Sequence, residues 1–397
     1  MLIKRREFIK AGSMASTSLF VPAFLKAMPV EKPFPAGEKV LVVLQLSGGN
    51  DGLNTVIPYR NDLYYAARPK LGIRMKDSLR LNDEAGIHPA LPAFSEFYAN
   101  GEMAILNSVG YPNPDRSHFR SMDIWHTASD SKTYLDTGWL GRYLDAQCKG
   151  CDHPTQVLEL DDVLSLALKG KQLNGLAMKD PARLYQTARN PFYEALVEDH
   201  HHHEPVADYL YKTLADTLSS ADYIFKASKE KSSSASYPAT ALGKSLKTIS
   251  SLINSGINTR VYYVSHGSFD THIAQDAQQR RLFTEMNDAV AAFIKDLKAY
   301  GRFKDVLLVT FSEFGRRVAQ NASGGTDHGT ANTMFVIGGG LKQKGMINDL
   351  PNLADLDDGD LKYSVDFRQV YATLLDKWLS HPSKEVLGAS FKPLQFI

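Results

Sequence analysis

The chain alternates short, nearly continuous apolar runs with longer stretches of helical periodicity. The runs are Val40–Leu46, 103–106, 156–160, 260–264, Val306–Phe311 and 334–337. A strand with one solvated face alternates apolar and polar residues, whereas a run apolar at successive positions predicts a strand buried on both faces. Residues 206–225 and 282–297 carry apolar side chains at the spacing of amphipathic helices. Apolar strands separated by helices predict a three-layer α/β fold, a mostly parallel sheet with helices on both faces. In such sheets ligands and catalytic groups gather in loops beyond the strands' carboxyl ends. The polar residues that follow each run are therefore the ones to read for chemistry.

Three segments stand outside this alternation. Residues 226–236, rich in Ser and Lys, predict a flexible surface loop. His200, His201, His202 and His203 precede a helix. Four adjacent imidazoles cannot all face one ion, so the tract reads as a solvated helix entry with incidental metal affinity. At the amino terminus, Lys4-Arg5-Arg6-Glu7-Phe8-Ile9-Lys10 precedes an uncharged Ala/Ser/Leu/Phe-rich run over 11–25. That arrangement resembles the twin-arginine export signal, and its apolar run is shorter than the ~20 residues that span a bilayer. The expectation is a signal peptide over 1–27 and one α/β domain over 28–397. The twin-arginine translocase would deliver that domain to the periplasm or beyond, without a stable membrane span after cleavage.

Composition narrows the partners. With 45 Lys and Arg against 44 Asp and Glu, net charge gives no reason to expect nucleic acid or anionic lipid. Cys148 and Cys151 are the two cysteines. In an oxidising compartment their Cys-Lys-Gly-Cys spacing reads as a local disulfide. Asp152 rather than His follows, which argues against haem attachment, and no second ligand pair is spaced for a zinc knuckle.

Four polar clusters follow or approach strands. Ser47-Gly48-Gly49-Asn50-Asp51-Gly52 follows the first run, and its glycines permit a tight turn that lifts Asp51 into a cleft. Asp115-Arg116-Ser117-His118-Phe119 leads into a helix, placing Ser117 near a terminus whose free N–H groups favour an anion; its plain alternative is an N-cap. Ser265-His266-Gly267-Ser268-Phe269-Asp270-Thr271-His272 follows the 260–264 run. The last cluster has two pieces, Ser312-Glu313-Phe314-Gly315-Arg316 and Gly325-Thr326-Asp327-His328-Gly329. Carboxylates and imidazoles recurring at one sheet edge suit Zn²⁺, Mn²⁺ or Fe, and Ca²⁺ less well.

The order of these blocks is similar to the alkaline phosphatase/sulfatase superfamily. More closely, Gly49-Asn50-Asp51-Gly52-Leu53-Asn54, Arg116-Ser117-His118-Phe119, Phe269-Asp270-Thr271-His272, Ser312-Glu313-Phe314-Gly315-Arg316 and Thr326-Asp327-His328-Gly329 resemble the signature blocks of one bacterial family. That family is catalogued as domain of unknown function number 1501, and its members are typically exported by the twin-arginine route. The resemblance implies an alkaline-phosphatase-like fold. It also implies Ser117 as nucleophile, Arg116 (with Arg316 as a second candidate) neutralising a bound anion, and a divalent metal held by Asp51, Asp270, His272, Glu313, Asp327 and His328. Zinc is the first choice, as one or two ions, with manganese or calcium as alternatives. The implied activity is hydrolysis of phosphate or sulfate esters, on an anionic small-molecule or glycan ester, by in-line displacement at Ser117. Two departures are visible: Asp270 and His272 are one residue apart where the superfamily has three between them, and Glu313-Phe314 stands where an Asp-His pair is usual. They keep open a second reading, a non-catalytic exported protein that binds an anionic glycan or envelope component in the same cleft.

Overall fold

The apolar runs become strands because burial on both sides favours an apolar side chain at nearly every position. Val40–Leu46 is buried at all seven positions and Val306–Phe311 at all six. The computed structural model describes residues 37–148, 155–193 and 205–397, with side chains of 205–213 excepted. The chain divides into two compact units, Met1–Lys32 and Pro33–Ile397. The first, with the expected export signal, lies outside the described residues, as do Cys151 and the tract His200 to His203. Cys148 is disulfide-bonded.

The main sheet contains β1 (Val40–Leu46), β2 (Met103–Gly110), β3 (Val157–Glu159), β4 (Leu176–Ala177), β5 (Val261–His266), β6 (Val306–Phe311), β7 (Asn332–Gly338), β8 (Gly345–Met346) and β9 (Val365–Asp366). Their order is β8-β2-β7-β6-β1-β5-β3-β4, with β9 also beside β2. Pairing is parallel except at β7, which runs antiparallel to both β2 and β6. The helices used below are α1 (Gly52–Thr55), α2 (His118–Thr127), α3 (Trp139–Gln147), α4 (Pro205–Glu230), α5 (Ala241–Ser255), α6 (Gln275–Ala299) and α7 (Phe367–Thr373).

Alternate residues of β1 feed two cores. Val40, Val42, Leu44 and Leu46 pack with Leu246 and Ile249 of α5 and Phe283 of α6. Leu41 and Val43 join the opposite core with Trp125 of α2, Tyr143 of α3 and Tyr371 of α7. These are the helix, sheet and helix layers expected from the pattern. No described helix is long and apolar enough to cross a membrane.

Residues 226–236 depart from expectation. Instead of lying loose, the serine run is tied to Asp296, a fully buried carboxylate on α6. Ser233 Oγ, Ser234 N, Ser234 Oγ, Ala235 N and Tyr237 Oη donate to it at 2.7–3.0 Å. A carboxylate can accept several hydrogen bonds, and small hydroxyls with free backbone N–H groups crowd around it most readily.

The reversed direction of β7 positions the site. Loops after β1, β2, β5 and β6 emerge at the carboxyl edge of the parallel strands. Because β7 points the other way, the segment before it arrives at that same edge, which is how His328 joins loops that follow strands.

Candidate metal centre

Two loops approach so closely behind the site that only glycine fits. Gly48, after β1, has φ +116°, and a Cβ there would lie 2.5 Å from the backbone nitrogen of Asp270, after β5. Arg316 then locks the loops together. Its buried guanidinium donates to the carbonyls of Gly49 (2.6 Å), Phe269 (2.9 Å), Thr326 (3.0 Å) and Gly48, and to Asp270 Oδ1 at 2.7 Å. Burial opposes ionisation of Asp270, but the hydrogen bond and charge of Arg316 are foremost among the effects that outweigh it and hold the carboxyl at about 2.

Three imidazoles surround that carboxylate. His272 Nε2 lies 3.0 Å and His328 Nε2 3.1 Å from Asp270 Oδ1, and the two ring nitrogens are 3.0 Å apart. His118 Nε2 lies 3.5 Å from Asp270 Oδ2 and is buried without a hydrogen-bond partner. Each ring is held from behind through Nδ1: His118 by Glu313 Oε1 at 2.9 Å, His272 by Asp327 Oδ1 at 3.1 Å, and His328 by the Arg116 carbonyl at 2.9 Å. Carboxylate and carbonyl oxygens accept, so each Nδ1 donates, and a ring in its neutral form then has its lone pair at Nε2. Burial lowers the His328 pKa, favouring that neutral form. The hydrogen bond to Glu313 raises that of His118.

His118, Asp270 and His328 place their ligand atoms within 4.8 Å of one another, with His272 on the far side of Asp270 Oδ1, a set of donors that a cation would satisfy. The 3.0–3.1 Å edges among Asp270, His272 and His328 approach the ~3.3 Å that bonds of ~2.0 Å impose in a tetrahedral zinc site. The ring-to-carboxylate and ring-to-carbonyl supports are those that usually fix metal-binding histidines. By the chemistry of its donors, the set fits a borderline ion such as Zn²⁺.

Several expected residues have different work. Glu313, buried, accepts from Gly48 N at 2.7 Å as well as supporting His118, so it stands behind the imidazole rather than beside the open donors. Asp327 supports His272 and accepts from Asn321 Nδ2 at 3.2 Å, and these bonds lower its pKa. Asp51 caps α1 through Leu53 N and forms a buried ion pair with Arg68 at 2.6 Å. The Arg116 guanidinium pairs with Asp358 at 3.3 Å and with buried Asp360, away from an anion-clamping pose. Arg316 is spent on carbonyls and Asp270. Ser117 occupies the N-cap position of α2, but its hydroxyl makes no cap bond, and the residue is exposed next to His118. The residue absent from the expected ligands is His118. Its signal was its place in the Arg116-Ser117-His118-Phe119 block, one step from the proposed nucleophile.

A cleft of about 820 Å³ opens beside the centre, lined by Tyr111, Asp115, Arg116, Phe314, Lys362 and Tyr363 among others. Phe314 is the shared wall, its ring 4.8 Å from that of His118 and 4.7 Å from that of His328.

Residues 38–390 match the family described as "Protein of unknown function (DUF1501)". No curated protein matches the chain. Similar solved structures include the lipoteichoic acid synthase LtaP from Listeria monocytogenes, 10% identical, covering 83% of this chain and 73% of that one, with a TM-score of 0.37. A sulfatase from Pseudoalteromonas sp. is 11% identical over 91% of this chain and 74% of its own, with a TM-score of 0.40. A protein in the alkaline phosphatase superfamily from Vibrio parahaemolyticus is 11% identical over 85% and 69%, with a TM-score of 0.33.

Proposed function

The chain belongs to the DUF1501 family, and from that premise and the geometry of its centre we propose that it is an exported, metal-dependent hydrolase of phosphate or sulfate esters. The observation that carries this reading is the convergence of three Nε2 atoms on Asp270, each ring oriented by an oxygen behind it. His118, Asp270, His272 and His328 would hold a divalent ion, zinc by preference. When bound, such an ion supplies Lewis acidity toward an ester oxygen and lowers the pKa of a neighbouring hydroxyl.

The protein's own residues then have defined tasks. Ser117 Oγ, unused as a cap, is the nucleophile at the amino end of α2, where backbone N–H groups stabilise negative charge. Its oxygen bonds to phosphorus or sulfur as the bond to the departing alcohol breaks, and its proton leaves with that alcohol. Water then attacks the covalent ester, regenerating the serine and releasing the inorganic anion. Phe314 limits water on one side of the imidazoles, and the adjoining cleft receives the alcohol portion. Export follows from the Arg5-Arg6 signal, with the periplasm as the place of action.

One observation favours the alternative of a non-catalytic binder: the Arg116 guanidinium is committed to Asp358 and Asp360 rather than free to clamp an anion. Metal content and turnover of aryl phosphates and aryl sulfates separate the two. Hydrolysis lost in Ser117→Ala with metal retained supports the enzyme. Metal bound without turnover of either ester class supports the binder, and equal rates in wild type and Ser117→Ala remove the serine from the mechanism.

A further inference from the structure

The superfamily resemblance implies room for a second ion, held by Asp51 and Glu313, but the charge of Asp51 is already matched by Arg68. The Asp51 side chain is 1% exposed and the Arg68 side chain 0%. Asp51 Oδ2 accepts from Arg68 Nη1 at 2.6 Å and also from Gln275 Nε2, while Oδ1 accepts from Leu53 N at 3.2 Å. Both accepting directions of Oδ2 are therefore filled. Glu313 turns Oε1 to Gly48 N and His118 Nδ1, and its Oε2 faces Ser312 Oγ at 3.4 Å.

Arg68 is not a side chain that happens to lean on Asp51. Nη1 also donates to Asn54 Oδ1 at 2.7 Å, Nε to the Val318 carbonyl at 2.8 Å, and Nη2 to the Arg317 carbonyl at 2.9 Å. A planar fork engaged on four acceptors cannot swing aside, and moving it would strand a buried charge on either partner. Asp51 is nonetheless part of the same structure as the imidazoles. Gln275, which donates to it, accepts from Thr326 Oγ1 at 2.6 Å, two residues before His328.

We infer that the centre holds a single ion, and that Arg68 is the built-in positive charge at the corner where a second ion would otherwise sit. This rests on the proposed function for the first ion and departs from the two-ion arrangement that the resemblance allows. A fixed guanidinium neutralises Asp51 at all times and does not exchange with solvent, so a chelator removes the ion at the imidazoles and leaves the Asp51 corner intact.

The test is the metal count on the full chain. Protein stripped with chelator is titrated calorimetrically with Zn²⁺ and with Mn²⁺, and bound metal is measured by mass spectrometry after desalting. One ion per chain is expected. Asp51→Asn should keep that one ion with a Kd within roughly threefold of wild type. If that variant does not fold, Asp51→Asn with Arg68→Met removes both charges together and should again bind one ion. Two ions per chain that persist when His200 to His203 are replaced by Ala, or loss of an ion in either Asp51 variant, overturns the inference and spares the functional reading. A chain that binds no ion under any condition overturns both.

Discussion

Replacing Arg316 with lysine keeps the charge and should still dismantle the site. The guanidinium serves five acceptors, the carbonyls of Gly48, Gly49, Phe269 and Thr326 and the carboxylate of Asp270. A lysine ammonium has three donors on a flexible stem, so at least two of the five acceptors, one or more of them a buried carbonyl, lose their partner. Each buried acceptor left unpaired costs ~1–3 kcal/mol, so the loss is at least about 1–3 kcal/mol. That is a sizeable part of a native stability of ~5–15 kcal/mol. Urea unfolding followed by tryptophan fluorescence reads the loss, since Trp125 and Trp139 are both buried in the core beneath the sheet. Zinc titration reads the second effect: with Asp270 released from its lock, affinity should fall ~10–100-fold. A variant within about 1 kcal/mol of wild type and with unchanged zinc affinity would refute the claim that this side chain binds the loops together.

Two further outcomes follow from buried acids. Glu159 on β3 is buried, and burial raises its pKa from 4.5 to about 7, against the hydrogen bond it accepts from Ser165 N. A raised folded-state value means stability is full below 4.5 and is lost as pH rises toward 7; at ~1.4 kcal/mol per tenfold change that is about 3 kcal/mol. Glu159→Gln should therefore match wild type near pH 4.5 and exceed it at pH 8, and parallel stability–pH curves would count against this account. Asp296→Asn removes the charge and replaces with an amide donor one of the two acceptor oxygens that gather Ser233, Ser234 and Tyr237. Burial opposes ionisation of Asp296, but these bonds lower its pKa, so its contribution is present at neutral pH and lost as pH falls. The variant should lose ~2–4 kcal/mol at pH 7, become cleavable by trypsin within 226–236, and show a flatter acid limb. Unchanged proteolysis would show that the serine run is held by something else.

The strands were legible because burial on both faces writes itself into consecutive residues, as in Val40–Leu46. Strand direction is not written locally. Nothing in residues 332–338 distinguishes a parallel from an antiparallel neighbour, so the reversal at β7 appears only when the sheet is assembled. Among site residues, the blocks around Asp270, His272 and His328 were readable as chemistry. Their division of labour was not, because a carboxylate beside a histidine in sequence can bind a metal or hold the ring from behind. Glu313 and Asp327 do the latter, a difference set by which atom faces Nδ1. Asp51 looked like a ligand because its partner, Arg68, lies seventeen positions away on another turn. The Ser-rich stretch looked unstructured because Asp296, which organises it, lies 62 residues beyond Ser234.

The reversed strand also bears on the order of events in folding. Asp270 and His328 are 58 residues apart and meet at 3.1 Å where β7 lies between β2 and β6, so their meeting requires that strand to be in place. His118 comes from beyond β2, on the far side of the same insertion. No hairpin or helix pair broken from the chain carries all four donors, so an ion offers little to early, partly assembled states. Its free energy would fall on the native basin alone, slowing escape from it while leaving the climb toward it nearly unchanged. An ion held this way would act as a latch closed last, conferring kinetic resistance to unfolding more than speed of folding.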